Sequence, residues 1–84
     1  YGFEDFSIYP NPNNGSFTVV LNSNSNKNVS VEIYDIRGRS IFNNTYEGAT
    51  KFKQDIQLNH VQSGMYLVKV FDGERQTIQK IIIE

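Results

Sequence analysis

The 84-residue sequence is long enough for one small domain, which buries only roughly 60 to 65 per cent of its unfolded surface. It has no cysteine, so neither a disulfide nor a thiolate ligand or nucleophile is available. Eight basic and nine acidic residues give a net charge of −1, which excludes a strongly basic nucleic-acid binder and an acidic disordered tail, while a hydrophobic fraction of 38% predicts a globular core.

The first part of the chain predicts two strands joined by a proline-rich turn. Residues 6–9 form the first strand, which ends at the Pro-Asn-Pro of residues 10–12 because proline lacks the N–H that a ladder needs. This predicts a position at a sheet edge. The Asn-Asn-Gly of residues 13–15 turns the chain into a second strand over residues 16–21. The polar residues 22–28 predict an exposed loop.

The middle of the chain predicts a hairpin followed by a less regular strand. Residues 29–35 and 39–46 form strands joined through Gly38, whose access to positive φ suits a loop of about three to five residues with a bulge. A turn at residues 47–49 leads into a strand over residues 51–58, where the strand signal is weakest.

The last part of the chain predicts a loop at residues 59–63 and a second hairpin. Residues 65–71 and 75–83 form its strands, and the Asp-Gly of residues 72–73 is the strongest short hairpin signal in the chain. The longest purely apolar run, residues 81–83, is too short to cross a membrane, so we expect no membrane insertion.

Alternating apolar and polar side chains support these strand assignments. The clearest apolar faces consist of Phe17, Val19 and Leu21, of Val29, Val31 and Ile33, and of Tyr66, Val68 and Val70. A period of two is typical of half-buried strands, and no window carries the spacing of an amphipathic helix. Seven short strands at even spacing predict an all-β fold, a seven-stranded antiparallel Ig-like β-sandwich with no long helix.

Residues for catalysis or metal binding are sparse. His60 is the only histidine and lies near Ser63, with Asp55 upstream, but closeness in sequence does not give the geometry of a catalytic triad. We interpret His60 as a surface residue. One histidine without cysteine does not favour a transition-metal site, and the acidic residues lack the spacing of a calcium loop. We therefore expect no enzyme activity, no metal and no cofactor.

Three segments resemble the sequence signatures of a known family. Residues 6–17 read Phe-Ser-Ile-Tyr-Pro-Asn-Pro-Asn-Asn-Gly-Ser-Phe, an aromatic strand that runs into Tyr-Pro-Asn-Pro and then Gly. Residues 31–39 read Val-Glu-Ile-Tyr-Asp-Ile-Arg-Gly-Arg. The third segment comprises Leu58, residues 63–70, Thr77 and residues 80–83. In this order they resemble the C-terminal sorting domain of the type IX secretion system of Bacteroidota, over nearly the whole chain.

The resemblance implies a secretion signal rather than an enzyme. Such a domain follows a passenger protein and is recognised, folded, in the periplasm and at the outer-membrane translocon. In many members a sortase-like peptidase removes it, and the passenger is released or anchored at the cell surface. The implied partners are the translocon, the peptidase and a covalently linked passenger, with no nucleic acid. We expect a segment of a longer protein, in which residues 1–5 end a linker and residues 6–84 form the sorting domain.

The resemblance also supplies the candidate signal residues. They are Tyr9, Pro10, Asn11, Pro12, Gly15, Asp35, Gly38, Gly64, Tyr66, Lys80, Ile81, Ile82 and Ile83. Gly64 is expected to allow a bulge or a close backbone approach, and Tyr66 to bury its ring and leave its hydroxyl for a partner. If residues 80–83 lie at a sheet edge, their unpaired N–H and C=O groups are available for strand addition. Each candidate has the alternative role of maintaining the fold.

Two other functions fit a sandwich of this size. A carbohydrate-binding or adhesive module requires an exposed row of aromatic side chains on one face, because such rings stack on sugars. A structure in which every aromatic side chain is at least half buried counts against it. An inert spacer in a multidomain surface protein requires neither an aromatic row nor a signal.

Overall fold

A computed structural model describes residues 3–23, 27–48 and 50–84. The strands are β1 (Glu4–Tyr9), β2 (Ser16–Asn22), β3 (Val29–Tyr34), β4 (Ser40–Tyr46), β5 (Lys51–Gln57), β6 (Gly64–Phe71) and β7 (Gln76–Ile83). None of the described residues lies in a helix. All seven predicted strands are confirmed, with ends shifted by at most about two residues, as is usual for strand boundaries. Parts of the predicted linker, loop and turn, at residues 1–2, 24–26 and 49, lie outside the described residues.

The strands form two antiparallel sheets that face each other across a shared core. One sheet has the order β1-β2-β5 and the other has the order β4-β3-β6-β7. The chain changes sheets after β2, after β4 and after β5. In the constant-type immunoglobulin domain the fourth strand joins the sheet of the first two, whereas here β4 pairs with β3 in a hairpin. The predicted Ig-like sandwich is confirmed, in a three-plus-four arrangement.

The core consists of the inward-facing positions of both sheets. Its buried apolar side chains are Phe3, Ile8, Phe17, Val19, Leu21, Val29, Val31, Ile33, Phe52, Ile56, Leu58, Tyr66, Val68, Val70, Ile81 and Ile83. All the apolar faces read from the sequence of β2, β3 and β6 are among them. Burying one such side chain stabilises a fold by about 1.5–3 kcal/mol, so the apolar face of each strand determines which side turns inward.

Two strands show how few apolar residues this fold requires. β5 carries only Phe52 and Ile56 on its inner face, with exposed charged residues between and beside them, yet it pairs with β2 along its whole length. β1 begins at Glu4, two residues before the predicted start, and Phe3 ahead of it is buried. The folded unit therefore includes residues that the sequence analysis placed in the linker.

A buried carboxylate stabilises the end of the sandwich at which β1 begins. We call this the Phe3 end; it comprises Phe3 and the turn at residues 72–75 between β6 and β7. The Asp72 side chain is fully buried, and its Oδ1 accepts the N–H groups of Glu74 and Arg75 at 3.0 and 2.9 Å. The carboxylate thus closes the β6–β7 hairpin, whose Gly73 has a φ of 95°.

Arg75 connects this turn to both sheets. Its Nη2 lies 3.6 Å from Asp72 Oδ2 and donates a hydrogen bond to Ser23 Oγ at 3.1 Å. Its guanidinium carbon lies 5.0 Å from the centre of the Phe3 ring. Burial by itself raises the pKa of Asp72, but the turn N–H groups and the charge of Arg75 outweigh it and hold this pKa below its ordinary value.

Replacing Asp72 with Asn should reduce stability in a pH-dependent way. Because the folded pKa is lowered, the ionised carboxylate stabilises the fold above its ordinary pKa, and this stabilisation is lost as the pH falls through the folded pKa. We expect Asp72→Asn to be less stable than the natural protein by about 1–3 kcal/mol near neutral pH. The difference should shrink towards about pH 2.

Urea unfolding at both pH values measures this difference. Asp55→Asn is the matched control, because Asp55 is exposed and its contact is a surface hydrogen bond from the Thr18 hydroxyl at 2.7 Å. If Asp72→Asn lowers the free energy of unfolding equally at both pH values, the carboxylate charge does not have the proposed role.

Candidate recognition end

One end of the sandwich brings the candidate signal residues together. β1 ends there at Tyr9, β6 begins at Gly64, and β7 ends at Ile83. The segments that meet there are residues 10–15, the turn at residues 35–39, the loop at residues 58–63 and the end of β7. We call this the motif end. It lies at the opposite end of the strands from the Phe3 end, and the molecule is about 35 Å long.

Residues 10–15, which we call the crossing segment, pass from one sheet to the other and back. Both neighbouring strands belong to the three-stranded sheet, yet Asn13 forms a parallel bridge with Ile83 in the four-stranded sheet. The Asn13 N–H donates to the C=O of Ile82 at 3.0 Å, and the Glu84 N–H donates to the C=O of Asn13 at 2.7 Å. The crossing segment therefore ties the two sheets together.

Asn11 adds side-chain bonds to the same contact. Its Oδ1 accepts the Ile82 N–H at 2.9 Å, and its Nδ2 donates to the Lys80 C=O at 3.3 Å. Asn11 lies between Pro10 and Pro12, which have no N–H, and the peptide bonds before both prolines are cis. The Asn11 amide thus supplies a donor and an acceptor to β7 in a segment where the backbone has few donors.

These bonds occupy the end of the β7 edge. β7 is an edge strand, as the strand-addition hypothesis requires. However, the C=O of Lys80, both backbone groups of Ile82 and the N–H of Glu84 are bonded to the crossing segment. The expectation that these outward groups are unpaired is not met, so strand addition here requires displacement of the crossing segment.

Gly15 permits a close approach between the crossing segment and the loop before β6. Its φ is 109°, and a Cβ at this position would lie 3.0 Å from the C=O oxygen of Leu58. Leu58 donates its N–H to the C=O of Gly15 at 2.8 Å, and Asn13 Oδ1 accepts the Gly15 N–H at 2.8 Å. Asn13 was not among the candidates. It is buried, and the sequence signal for its role is an Asn two residues before a turn glycine.

Asp35 organises the β3–β4 turn. Its Oδ1 accepts the N–H groups of Arg37 and Arg39, both at 2.9 Å, and its Oδ2 accepts Nε of Arg39 at 2.8 Å. The hydrogen bond from the Arg39 N–H is the main cause that lowers the pKa of Asp35. Gly38 has a φ of 84° and donates its N–H to the Asp35 C=O at 3.0 Å. The predicted bulged hairpin is confirmed by the register shift at the end of β3.

Gly64 and Tyr66 begin β6 beside the end of β7. Gly64 pairs with Ile83 and has a φ of 152°. The β6–β7 register is continuous there, and a Cβ at Gly64 would meet no atom within 4 Å, so neither the expected bulge nor the expected close approach is found. The Tyr66 ring is buried, as predicted, and its hydroxyl donates to the C=O of Gln62 at 2.6 Å. The Tyr66 hydroxyl, which was expected to be free for another protein, is therefore bonded within the same chain. Gln62 was not predicted to contribute to this end of the domain.

A polar cleft joins the second and third signature segments. Its walls include Asp35, Arg39, Gln62, Gly64 and Tyr66. The Arg39 side chain is 71% exposed, which places a positive charge at the rim. Segments separated by more than twenty residues in sequence thus form one continuous surface at the motif end.

The described residues do not form a metal-binding cluster. His60 and Ser63 are exposed in the loop before β6, and Asp55 is bonded to Thr18 on the outer face of the three-stranded sheet. No three His, Cys, Asp or Glu side chains in the described ranges are placed to hold a metal ion. The same ranges contain no helix of the length and apolar character needed to span a membrane.

Aromatic side chains do not form an exposed row. Tyr9 is the most exposed aromatic residue of the described chain, at 45%, so every described aromatic side chain is at least half buried. This counts against a carbohydrate-binding module, which requires accessible rings on one face.

The fold and the motif end define a small Ig-like sandwich whose distinctive surface is built from turns. Comparison with known proteins gives its family. Residues 7–84 match the family described as "Secretion system C-terminal sorting domain", and the chain belongs to that family. It is also 32% identical over 82 residues to an endo-acting ulvan lyase of Formosa agariphila, covering 94% of this chain but only 14% of that protein.

Family membership makes the chain a C-terminal sorting domain of the type IX secretion system. A domain of this kind implies an upstream passenger protein, a secretion machinery and export to the cell surface or the medium. The chain spans about one seventh of the length of the lyase that it matches. Both the family and the sandwich fold that the sequence analysis predicted are confirmed.

Replacing Gly15 with Ala should destabilise the domain through two effects. The positive φ alone costs about 1–3 kcal/mol for a residue with a Cβ, and the contact with the Leu58 C=O adds to it. Gly73→Ala is the matched control, because Gly73 also has a positive φ, but a Cβ there would meet no atom within 4 Å. Urea unfolding should show the larger loss for Gly15→Ala. Equal losses would contradict a role for the close approach.

Replacing Asn11 with Ala should expose the end of the β7 edge. Two hydrogen bonds are lost, which lowers the free energy of unfolding by about 1–2 kcal/mol. Hydrogen exchange of the Ile82 amide should accelerate, because its acceptor is gone. Asn11→Asp retains the acceptor and should keep that amide protected, and Asn43→Ala on exposed β4 should leave it unchanged. An unaltered Ile82 amide in Asn11→Ala would argue against the side-chain contact.

Proposed function

We propose that this domain directs an upstream passenger across the outer membrane through the type IX secretion system, and that it acts as a folded signal without catalysis. The observation that supports this proposal is the convergence of all three signature segments at the motif end. A linear peptide signal requires no such convergence, whereas recognition of a folded surface does.

The position of the Phe3 end suits this role. β1 begins at the Phe3 end, so a passenger joined ahead of Phe3 lies at the far end of the strands from the motif end. A receptor that binds the motif end therefore meets little steric obstruction from the passenger. This arrangement allows one signal to serve passengers of different size and fold.

The candidate residues divide into two groups by the structural role of each residue. Gly15, Tyr66, Ile81 and Ile83 are buried, and Asn11, Asp35, Gly38 and Gly64 shape turns or bond to β7, so we propose that these eight maintain the surface. The remaining five are Tyr9, Pro10, Pro12, Lys80 and Ile82, whose side chains are exposed or partly exposed. We propose that these five are available to contact the translocon.

Strand addition at the end of β7 is less well supported than recognition through exposed side chains. The outward backbone groups there are already bonded to the crossing segment, and a partner strand would have to displace those bonds. We therefore propose that side chains on the folded surface, rather than free backbone groups, carry recognition.

Processing by a sortase-like peptidase fits the same geometry. Phe3 is buried and Arg75 lies over its ring, so cleavage at or after Phe3 would disrupt the core. We propose that the cleaved bond lies ahead of Phe3, in the linker, after which the passenger is released or anchored at the cell surface. Transit through the periplasm precedes this step.

An export assay tests the proposed function. A fluorescent passenger with an N-terminal export signal is fused to residues 1–84 and expressed in a strain with a working type IX translocon and in a strain without one. We expect the passenger outside the cell only in the first strain. Equal export from both strains would contradict the proposal.

Two variants of the fusion refine this assay. Deletion of residues 80–84 removes two core residues and the partners of the crossing segment, and should trap the passenger in the periplasm. Tyr9→Ser alters an exposed side chain while leaving the core intact, and should reduce export without exposing the domain to added protease. Full export of the deletion variant would remove residues 80–84 from the signal.

A further inference from the structure

The two outer faces of the sandwich differ in character. On the three-stranded sheet the outward positions are mostly polar, and Tyr9 and Val20 are the main apolar exceptions. On the four-stranded sheet the outward positions include Met65, Leu67 and Ile78, with exposures of 44%, 40% and 55%. Contiguous exposed aliphatic side chains are typical of an interaction surface, since they are unfavourable in water.

The strand register makes these side chains one surface. Met65 lies opposite Ile82 across β6 and β7, Leu67 lies opposite Lys80, and Ile78 lies opposite Lys69. Directly opposed side chains on one face have Cβ atoms about 4.5–5.5 Å apart, so these three pairs are in contact range along the hairpin. We call these six residues the β6–β7 face.

Two lysines give this surface a positive charge in a chain whose net charge is −1. Lys80 is exposed, and Lys69 Nζ lies 5.0 Å from the centre of the Phe71 ring. The ion pairs found among the described residues involve neither lysine. Glu32 of β3 lies directly opposite Lys69 and also accepts a hydrogen bond from the Tyr34 hydroxyl. The surface thus combines an aliphatic centre with two cations, of which Lys80 lies opposite Leu67 and Lys69 lies between Ile78 and Glu32.

We propose that the β6–β7 face docks a protein of the secretion machinery whose surface carries aliphatic side chains flanked by carboxylates. This inference rests on the proposed function and extends the contact surface from Lys80 and Ile82, already proposed as contacts, to Met65, Leu67, Lys69 and Ile78. The β6–β7 face and the motif end are continuous, because Met65 and Ile82 are adjacent to the Gly64–Ile83 pair that closes the motif end. Charge complementarity selects the partner, and burial of the aliphatic centre supplies affinity.

Two other occupants fit the charge pattern less well. A second copy stacked on the same face would bring the lysines of both copies towards each other, and like charges disfavour such a contact. An anionic membrane is commonly bound by clusters of about four to eight basic residues, and this face has two. Sedimentation tests for the second copy, and vesicle flotation tests for the membrane.

The test uses the passenger fusion with paired charge reversals. Lys69→Glu/Lys80→Glu changes the β6–β7 face, and Lys51→Glu/Lys53→Glu makes the same change of net charge on the outer face of β5, where both lysines are exposed. We expect the first double variant to lower the exported fraction on the order of tenfold, and the second to leave it near the natural level. Equal effects of the two would overturn the inference.

A second pair of variants tests the aliphatic centre. Leu67→Ser/Ile78→Ser should reduce export to a similar extent, whereas Val20→Ser on the opposite outer face should not. Resistance of each fusion to added protease confirms that the domain is folded, so a loss of export cannot be assigned to misfolding. Full export of Leu67→Ser/Ile78→Ser would overturn the inference even if the charge variants behaved as expected.

The outcomes separate this inference from the proposed function. If the natural fusion is not exported in a translocon-dependent way, the proposed function fails and the docking inference fails with it. If the natural fusion is exported and the β6–β7 variants match it, only the docking inference fails. Sedimentation of the purified chain and flotation with vesicles of anionic phospholipid complete the test. A dimer or a vesicle complex that is abolished by the Lys69/Lys80 reversal would assign the face to that occupant instead.

Discussion

The hydrogen bonds between the crossing segment and the end of β7 are the interaction on which the motif end depends. They join residues 69 to 71 positions apart in sequence and connect the edges of two different sheets. Without them the three-stranded sheet would be connected to the four-stranded sheet at this end only through the core and the loops. The same bonds hold the Pro-Asn-Pro turn beside the last strand, so the first and third signature segments form one surface.

Asparagine suits this role because its side-chain amide resembles a peptide group. Asn11 presents Oδ1 and Nδ2 to β7 in the manner of a neighbouring strand, while Asn13 uses its backbone towards β7 and its side chain towards the turn. Together, the Asn11 side chain and the Asn13 backbone cover the end of the β7 edge without forming a further strand. Covering the edge in this way also protects it from pairing with other chains.

Much of the fold was predictable because the information is local. A period of two in β2, β3 and β6 identified the inward faces, and Gly38 and Asp72 marked the hairpins. β5 was harder, since its charged residues alternate with only two apolar ones. The pairing of β5 with β2 and of β3 with β6 has no local signal, because these pairings depend on which partners bury the apolar faces together.

The candidate site was predictable in its residues but not in its contacts. The signature pointed to Asn11, Asp35 and Tyr66, while their roles rest on partners at Ile82, the 35–39 turn and the Gln62 carbonyl. Every residue type has a backbone carbonyl, so the identity of residue 62 does not predict its contact with the Tyr66 hydroxyl. Asn13 had a local turn signal, yet its bonds to β7 could be found only in three dimensions.

Long-range closure of the motif end also gives the domain a sensitivity to chain integrity. The bonds at Asn11 and Asn13 form only when residues 80–84 are present and β7 has paired with β6. Contacts between residues so far apart form after local hairpins, since the loop-closure entropy must be overcome first. A chain that is truncated or incompletely folded therefore lacks the assembled surface. A receptor that binds the motif end would therefore select chains that include residues 80–84 and have finished folding.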